Sequence, residues 1–187
     1  MKLLDALYNR LMLRRYKAEY TTFPRIFGRI LVADFTPGGV GGTLRFGRDV
    51  VINSGVTANP VGGIRTVLIF KAPGAVIELD DRAGVSNVVL GAYEHIYIGK
   101  DVNLGAGCKI LDNDFHSLDL EERIADVNIG HAPVRIEDGA FIGTNAIIMK
   151  GVTVGERSVI AAGAIVVKSV PPGEIWGGNP AKFIRKL

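Results

Sequence analysis

The sequence predicts an all-β chain that winds as a parallel β-helix, and a six-residue period is the main reason. In the C-terminal half every sixth residue is aliphatic: Ile136, Ile142, Ile148, Val154, Ile160 and Val166. A small or aliphatic residue follows four positions after each of them. A helix repeats every ~3.6 residues and a half-buried strand every ~2. A period of six instead fits short strands and turns stacked into coils, with the leading aliphatic residue pointing inward.

The same period recurs earlier in shorter runs and is interrupted once at length. The earlier leading residues are Phe46, Ile52, Leu79, Val85, Ile98, Leu104 and Ile110. The step from Ile110 to Ile136 is 26 residues, which is not a multiple of six, so we predict an inserted loop at about 112–133. We therefore divide the chain into an N-terminal helical extension with a lead-in segment, residues 1–43, and a β-helix domain, residues 44–187.

Both ends of the chain depart from the period. Residues 3–13 place leucine, tyrosine and methionine at helical spacing, and a basic segment follows. This predicts a short helix, either a cap over the open end of the coil or a basic amphipathic helix that contacts an anionic membrane or a partner. We favour the cap. Residues 36–45 are glycine-rich but lack the Lys-Ser/Thr of a phosphate loop, so they predict an irregular lead-in. After Pro171-Pro172-Gly173 we expect a short tail.

Composition limits the class of protein. The chain has 187 residues, of which 48% are hydrophobic, enough for one domain with its own core. Its formal net charge is +3, and the basic excess lies in the first thirty residues without any motif that binds nucleic acid. The single cysteine excludes an intrachain disulfide framework. Without a membrane-spanning run or a signal-peptide core, we expect a cytoplasmic protein.

The predicted loop places a histidine where the period requires the next aliphatic residue. His116 lies in the segment Asp112-Asn113-Asp114-Phe115-His116-Ser117. Near pH 7 an imidazole can accept a proton from a hydroxyl and later return it. Three interpretations stay open from the residues alone: a catalytic base, a metal ligand together with Asp112 and Asp114, or a solvated loop histidine.

Three stretches carry a resemblance to a known family. They are residues 65–86, residues 110–117 with the histidine, and residues 133–182, which close on Trp176-Gly-Gly-Asn-Pro-Ala-Lys182. On these motifs the chain, over about residues 44–187, resembles the hexapeptide-repeat acyltransferases. Within that family it is most similar to the maltose, galactoside and polysaccharide O-acetyltransferases.

The resemblance implies a left-handed coil, a homotrimer with active sites between subunits, and acetyl-CoA as the donor, with no metal. It implies that His116 is the catalytic base. The residues that it places on the acceptor side are Ser86, Asn87 and Asp112, and Asp112 has a second interpretation, the orientation of His116. The residues that it places along the CoA groove are Gly143, Thr144, Ala162, Lys168 and Arg185. We therefore expect an acetyl-CoA-dependent O-acetyltransferase acting on a sugar or polysaccharide hydroxyl.

Other functions stay open. Within the family, the acceptor is an antibiotic or an amino sugar in the nearest alternative. The same coil also occurs in a zinc carbonic anhydrase class with three histidine ligands, and this chain has three histidines, His95, His116 and His131. Their spacings of 21 and 15 residues do not match the ~18 residues of one coil, so we do not expect them to converge. A non-catalytic β-helix is the last alternative.

Overall fold

The computed structural model describes residues 3–187 and shows a left-handed parallel β-helix with three flat sides. Most strands pair in parallel with the third strand after them, so successive strands lie on successive sides. Where the repeat is regular, each coil takes 18 residues, because Ile136 is the register partner of Val154. The predicted fold class is confirmed. The first two residues of the predicted extension lie outside the described residues.

Each side of the coil is one sheet. Sheet A contains β1 (Glu19–Tyr20), β4 (Thr43–Phe46), β7 (Val76–Leu79), β10 (His95–Ile98), β13 (Val134–Ile136) and β16 (Thr153–Val154). Sheet B contains β2 (Arg25–Phe27), β5 (Val51–Asn53), β8 (Gly84–Ser86), β11 (Asn103–Leu104), β14 (Phe141–Ile142), β17 (Val159–Ile160), β19 (Glu174–Gly178) and β20 (Ala181–Lys186). Sheet C contains β3 (Leu31–Asp34), β6 (Val67–Phe70), β9 (Val89–Ala92), β12 (Lys109–Leu111), β15 (Ile147–Ile148) and β18 (Ile165–Val166).

The six-residue period has two structural causes. The leading aliphatic residues point inward and are fully buried, as Ile136, Ile142 and Ile148 show. Between them a turn residue with positive φ recurs every six positions, at Gly139, Asn145, Gly151, Arg157 and Gly163. This left-handed backbone region favours glycine and asparagine, so the turn and the core residue repeat together.

The N-terminal helix α1 (Leu3–Arg15) packs on the end of the coil. Its Leu13 belongs to the buried core, and its buried Asn9 accepts a hydrogen bond from the backbone N–H of Ile30. The first coil already begins at β1. The boundary predicted after residue 43 therefore does not separate a helical extension from the coil, because residues 19–34 form strands of all three sheets.

The outer faces of sheets A and C differ in character. One row across sheet A reads Glu19, Arg45, Glu78, Tyr97, Arg135 and Thr153. The corresponding row across sheet C reads Leu31, Val67, Val89, Lys109, Ile147 and Ile165. Sheet A thus presents a polar row with charges of both signs, whereas sheet C presents a mostly apolar one.

Loops leave the coil at its corners. The glycine-rich segment joins β3 to β4, and the Asp34 carboxylate accepts hydrogen bonds from the backbone N–H groups of Thr36 and Gly41. It is therefore a loop between the first two coils and not a lead-in. A second loop follows β5, and the predicted loop follows β12, where Ile98 pairs with Ile136 across 38 residues instead of 18. Within residues 3–187 no helix is long and apolar enough to cross a membrane.

Candidate active site

The loop after β12 is held against sheet C at its first residues. The Asn113 side chain donates to the carbonyl of Gly91 and accepts from the backbone N–H of Phe115. A Cβ added at Gly91 would lie 2.9 Å from the Phe115 ring. The ring therefore packs where strand β9 has no side chain, and this contact sets the direction of the next residue, His116.

An ion pair and backbone bonds close the two ends of this loop onto the coil. Asp114 pairs with Lys150, and its backbone N–H donates to the carbonyl of Gly130. The N–H of Ala132 donates to the carbonyl of Asp112 at 2.8 Å. The loop is thus anchored just before His116 and again at residues 130–132, where it rejoins the coil, and this limits how far the histidine moves.

A short helix, α2 (Leu120–Ala125), places an acidic residue beside the histidine. The Asp119 side chain caps its N-terminus, and Asp126 ends it in a left-handed conformation with φ 52°. Asp126 Oδ1 then lies 3.7 Å from His116 Nδ1 and 3.6 Å from Lys71 Nζ. The His116 side chain is 60% exposed, so a ligand can reach it.

A hydrogen bond inside the loop stiffens α2. The Ser117 hydroxyl donates to Glu122 at 2.6 Å, and this bond lowers the pKa of the Glu122 carboxyl. Asn128 donates to the other oxygen of the same carboxylate. The segment on either side of Asp126 is therefore ordered by its own side chains.

The position of Asp126 on the Nδ1 side of His116 has a chemical consequence. A carboxylate near Nδ1 favours the tautomer with the proton on that nitrogen, which leaves the lone pair on Nε2. At 3.7 Å the two groups are too far apart for a direct hydrogen bond. The arrangement can orient the ring, and an imidazole with a free Nε2 can accept the proton of a hydroxyl.

Asp112 does not face an open site. It is fully buried, and its two oxygens accept the backbone N–H groups of Tyr93 and Glu94 at 2.6 and 2.8 Å. The Asn113 side chain also donates to it. Within the chain its contacts are structural: it shapes the corner between sheets C and A, whereas the carboxylate beside His116 is that of Asp126.

Ser86 and Asn87 lie at a different corner from His116. They follow β8, at the turn from sheet B to sheet C, whereas the histidine follows sheet C. Asn87 is 1% exposed, donates to the carbonyls of Asn59 and Gly62, and accepts from the N–H of Gly55.

The three hydrogen bonds of the Asn87 side chain hold the loop after β5 in place. The Ser86 hydroxyl accepts from the Asn53 side chain at 3.0 Å. A single chain therefore does not bring the predicted acceptor residues together with His116.

The residues predicted along the CoA groove fall into three places. Gly143, Thr144 and Ala162 meet at the corner between sheets B and C, where the backbone carbonyl of Thr144 accepts from the N–H of Gly163. A Cβ at Gly143 would lie 2.5 Å from the Ala162 nitrogen, so the coils stack too closely there for a side chain. Lys168 is exposed after β18, and Arg185 is exposed on the terminal strand β20.

The three histidines lie beside three different carboxylates. His95 Nε2 is 3.4 Å from Glu78, and His131 Nδ1 is 3.2 Å from Glu94 and stacks on the Tyr93 ring. His116 faces Asp126. Over residues 3–187 no three histidine, cysteine or acidic side chains of one chain form a group that could hold a metal ion.

Sequence reasoning missed Lys71, Lys150 and Asp126. Both lysines follow strands of sheet C and contact acidic residues of the loop. A signal for one of them was present, because Lys150 precedes Lys168 by one 18-residue coil. Asp126 carried no such signal, since its position depends on where α2 ends.

The six-residue repeat indicates the class of protein to which the chain is similar. Residues 133–168 match the family described as the hexapeptide repeat of succinyl-transferase. This match and the three-sided coil show a hexapeptide repeat in its left-handed β-helix form. The chain resembles the acyltransferases built on that repeat.

Particular relatives share segments of the chain. A Schizosaccharomyces pombe protein provisionally named an acetyltransferase is 42% identical over 92 residues, which are 49% of this chain and 44% of that protein. The mitochondrial gamma carbonic anhydrase 2 of Arabidopsis thaliana is 33% identical over 141 residues, which are 64% of this chain and 48% of that protein. The chain thus spans less than half the length of these curated relatives.

A solved structure matches over the whole chain. The hexapeptide-repeat acetyltransferase of Vibrio cholerae is 26% identical and has a TM-score of 0.61. The match covers 100% of this chain and 83% of that one. A second structure under the same description holds acetyl coenzyme A, with 27% identity, a TM-score of 0.51 and coverage of 100% of this chain and 80% of that one.

Proposed function

We propose that the protein is an acyltransferase that moves an acetyl group from acetyl-CoA to a hydroxyl of a sugar or polysaccharide. The observation that carries this proposal is His116. It is exposed on a doubly anchored loop that interrupts the coil, with a carboxylate on its Nδ1 side. The similarity to the Vibrio cholerae acetyltransferase, and the acetyl coenzyme A in its second structure, support the donor.

The proposed reaction uses the imidazole twice. Nε2 of His116 accepts the proton of the acceptor hydroxyl while the oxygen attacks the thioester carbonyl. The C–S bond of the tetrahedral intermediate then breaks. The departing CoA sulfur receives from Nε2 the proton that the hydroxyl gave up. Asp126 stabilises the transient imidazolium from the Nδ1 side, and Lys71 limits the movement of that carboxylate.

The donor contacts are proposed on the same basis. The close coil stacking at Gly143 and Ala162 leaves a shallow corner along which a pantetheine arm can lie. Lys168 and Arg185 are exposed cations suited to the phosphates of CoA. Ser86 and Asn87 join the acceptor side only if a second subunit brings their corner to the histidine loop.

The apolar row on sheet C supports a homotrimer. A mostly apolar outer face is what a subunit interface requires, whereas the charged row on sheet A suits water. Since the histidine loop leaves the coil at the edge of sheet C, packing through this sheet puts His116 beside the neighbouring subunit. Light scattering tests the assembly, with about 60 kDa expected for three chains.

The activity is tested by thiol release from acetyl-CoA with a panel of mono- and oligosaccharides, antibiotics and amino sugars. The variant His116→Gln keeps a polar side chain but removes the base, and we expect its kcat to fall by about 10²–10⁴-fold. The matched control is His95→Gln, the same substitution on sheet A, which leaves kcat unchanged. Full turnover by His116→Gln contradicts the proposed base, and no turnover with any acceptor contradicts the activity.

A zinc hydrase is the second candidate, and the similarity to the Arabidopsis protein is the observation that favours it. Against it, the histidines of one chain lie beside three separate carboxylates. Metal analysis of the purified protein decides between the two. One tightly bound zinc per chain, together with CO₂ hydration, favours the hydrase over the acyltransferase.

A further inference from the structure

The exposed side of α1 carries four leucines that the coil does not bury. Leu3, Leu4, Leu7 and Leu11 are 86%, 69%, 55% and 57% exposed, whereas the helix packs on the coil through Asn9 and Leu13. We define the α1 face as these four leucines together with Arg10, Arg14 and Lys17. At helical spacing the leucines lie on adjacent turns of one side of the helix, with the basic side chains among them.

Basic side chains lie within and beside these leucines. A cavity of about 750 Å³ between α1 and β1 is lined by Leu7 and Leu11 and by Arg10, Arg14 and Lys17. Among the described residues, Arg10, Arg14 and Lys17 form no ion pair, and the Arg10 guanidinium lies over the Phe23 ring, 5.1 Å from its centre. The acidic residue of α1, Asp5, is already paired with Arg29 at 2.7 Å.

Charge complementarity selects the partner. The first thirty residues hold seven basic and two acidic residues, while the rest of the chain is slightly acidic. A symmetric contact between two copies through their α1 faces would bring the same uncompensated cations together and repel them. A nucleic acid would match the charge but not the leucines. A surface that offers both phosphate groups and an apolar interior matches both features.

We propose that the α1 face binds the surface of an anionic phospholipid bilayer. The leucines insert below the headgroups, and the cavity at Arg10, Arg14 and Lys17 receives lipid phosphates. Arginine and lysine fit this position because their long stems lie against apolar groups while the charged ends reach the phosphates. The bound state puts the N-terminal end of the coil on the membrane. The proposal does not depend on the acyl transfer proposed above.

The test is sedimentation of the full chain with vesicles of phosphatidylcholine alone or with about 30% phosphatidylglycerol, at low and high NaCl. We expect binding only to the anionic vesicles, and we expect high salt to weaken it. The variant Arg14→Ala/Lys17→Ala should lower the partition coefficient by about 10- to 30-fold. The variant Leu4→Ser/Leu7→Ser/Leu11→Ser should abolish binding, since electrostatic attraction then acts without insertion.

Controls separate the α1 face from general charge and from misfolding. Lys100→Ala removes an exposed cation from the middle of the coil and should bind as the parent does. Circular dichroism checks that each variant is folded. Equal binding to neutral and anionic vesicles, or unchanged binding of the leucine variant, overturns the proposal. A change in assembly mass on substitution of the leucines also overturns it, because the face is then an interface between copies.

Discussion

Asn87 provides a sharp test of whether a predicted ligand-binding residue is structural. Its side chain makes three hydrogen bonds to Gly55, Asn59 and Gly62, at 2.7–2.8 Å, and all three reach the loop after β5. Replacement by alanine removes these bonds at a net cost of about 1 kcal/mol each, or about 3 kcal/mol in total. Alanine also carries a cost of about 1 kcal/mol at φ 49°.

Asn145 is a matched control for this substitution. It has the same residue type, a φ of 58°, and a place at the same corner of the coil. Over residues 3–187 its side chain makes no hydrogen bond. Asn145→Ala therefore shares the backbone cost of about 1 kcal/mol but loses none of the three bonds. Asn145 is exposed whereas Asn87 is buried, so the difference between the two variants reports the three bonds together with the burial of the Asn87 side chain.

Limited trypsin digestion measures the effect at Arg65, which is exposed near the end of the anchored loop. If cleavage requires local opening, the loss of the three hydrogen bonds, about 3 kcal/mol, raises the cleavage rate of Asn87→Ala by about 100-fold over that of Asn145→Ala. Urea titration gives the matching change in the free energy of unfolding. Equal cleavage rates and equal stabilities of Asn87→Ala and Asn145→Ala would refute the structural role assigned to Asn87.

Three further substitutions or titrations test the packing and the buried groups. Gly143→Ala should lower the free energy of unfolding by about 1–3 kcal/mol, because the added Cβ would lie 2.5 Å from the backbone nitrogen of Ala162. Gly62→Ala is the control and should change it less, since no atom lies nearer than 3.6 Å to its added Cβ. Equal urea midpoints of the two variants contradict this. Burial raises the pKa of the Cys108 thiol to about 11, so a thiol reagent at pH 8 should label the native protein at least ~100-fold more slowly than the denatured one. Burial and the hydrogen bond to Asp80 raise the pKa of Tyr97 to about 12. Its stabilising contribution is therefore complete below pH 10 and is lost as the pH rises towards 12, and Tyr97→Phe should remove both this dependence and one late phenolate signal at high pH.

The coil was predictable because its period has simple causes. Each side needs one inward aliphatic residue, and each turn needs a residue that tolerates positive φ, so both repeat in the sequence. The candidate site could be predicted only where the chain breaks that repeat. His116 stands in an aliphatic position, but the bend at Phe115 and the end of α2 depend on contacts that the period does not encode.

The roles of the predicted polar residues show the limit of pattern reasoning. Asp112 and Asn87 occupy positions that resemble a binding site, yet both are buried and bond to backbone groups. An asparagine or aspartate at a coil corner can face either a ligand or a neighbouring loop, and one sequence does not distinguish the two. The α1 helix shows the same limit. Its buried Asn9 bonds to the backbone of Gly28 and Ile30, while the leucines that suggested a packing face remain exposed.

One edge of the coil connects the loop to the proposed donor site. Lys71, Lys150 and Lys168 all follow strands of sheet C. The first two pair with the loop carboxylates Asp126 and Asp114 and hold the loop beside the coil. Lys168 lies one coil beyond Lys150, and among residues 3–187 it forms no ion pair. The same edge therefore anchors the histidine loop with its paired lysines and, in the proposed reaction, offers its remaining lysine to the phosphates of the donor.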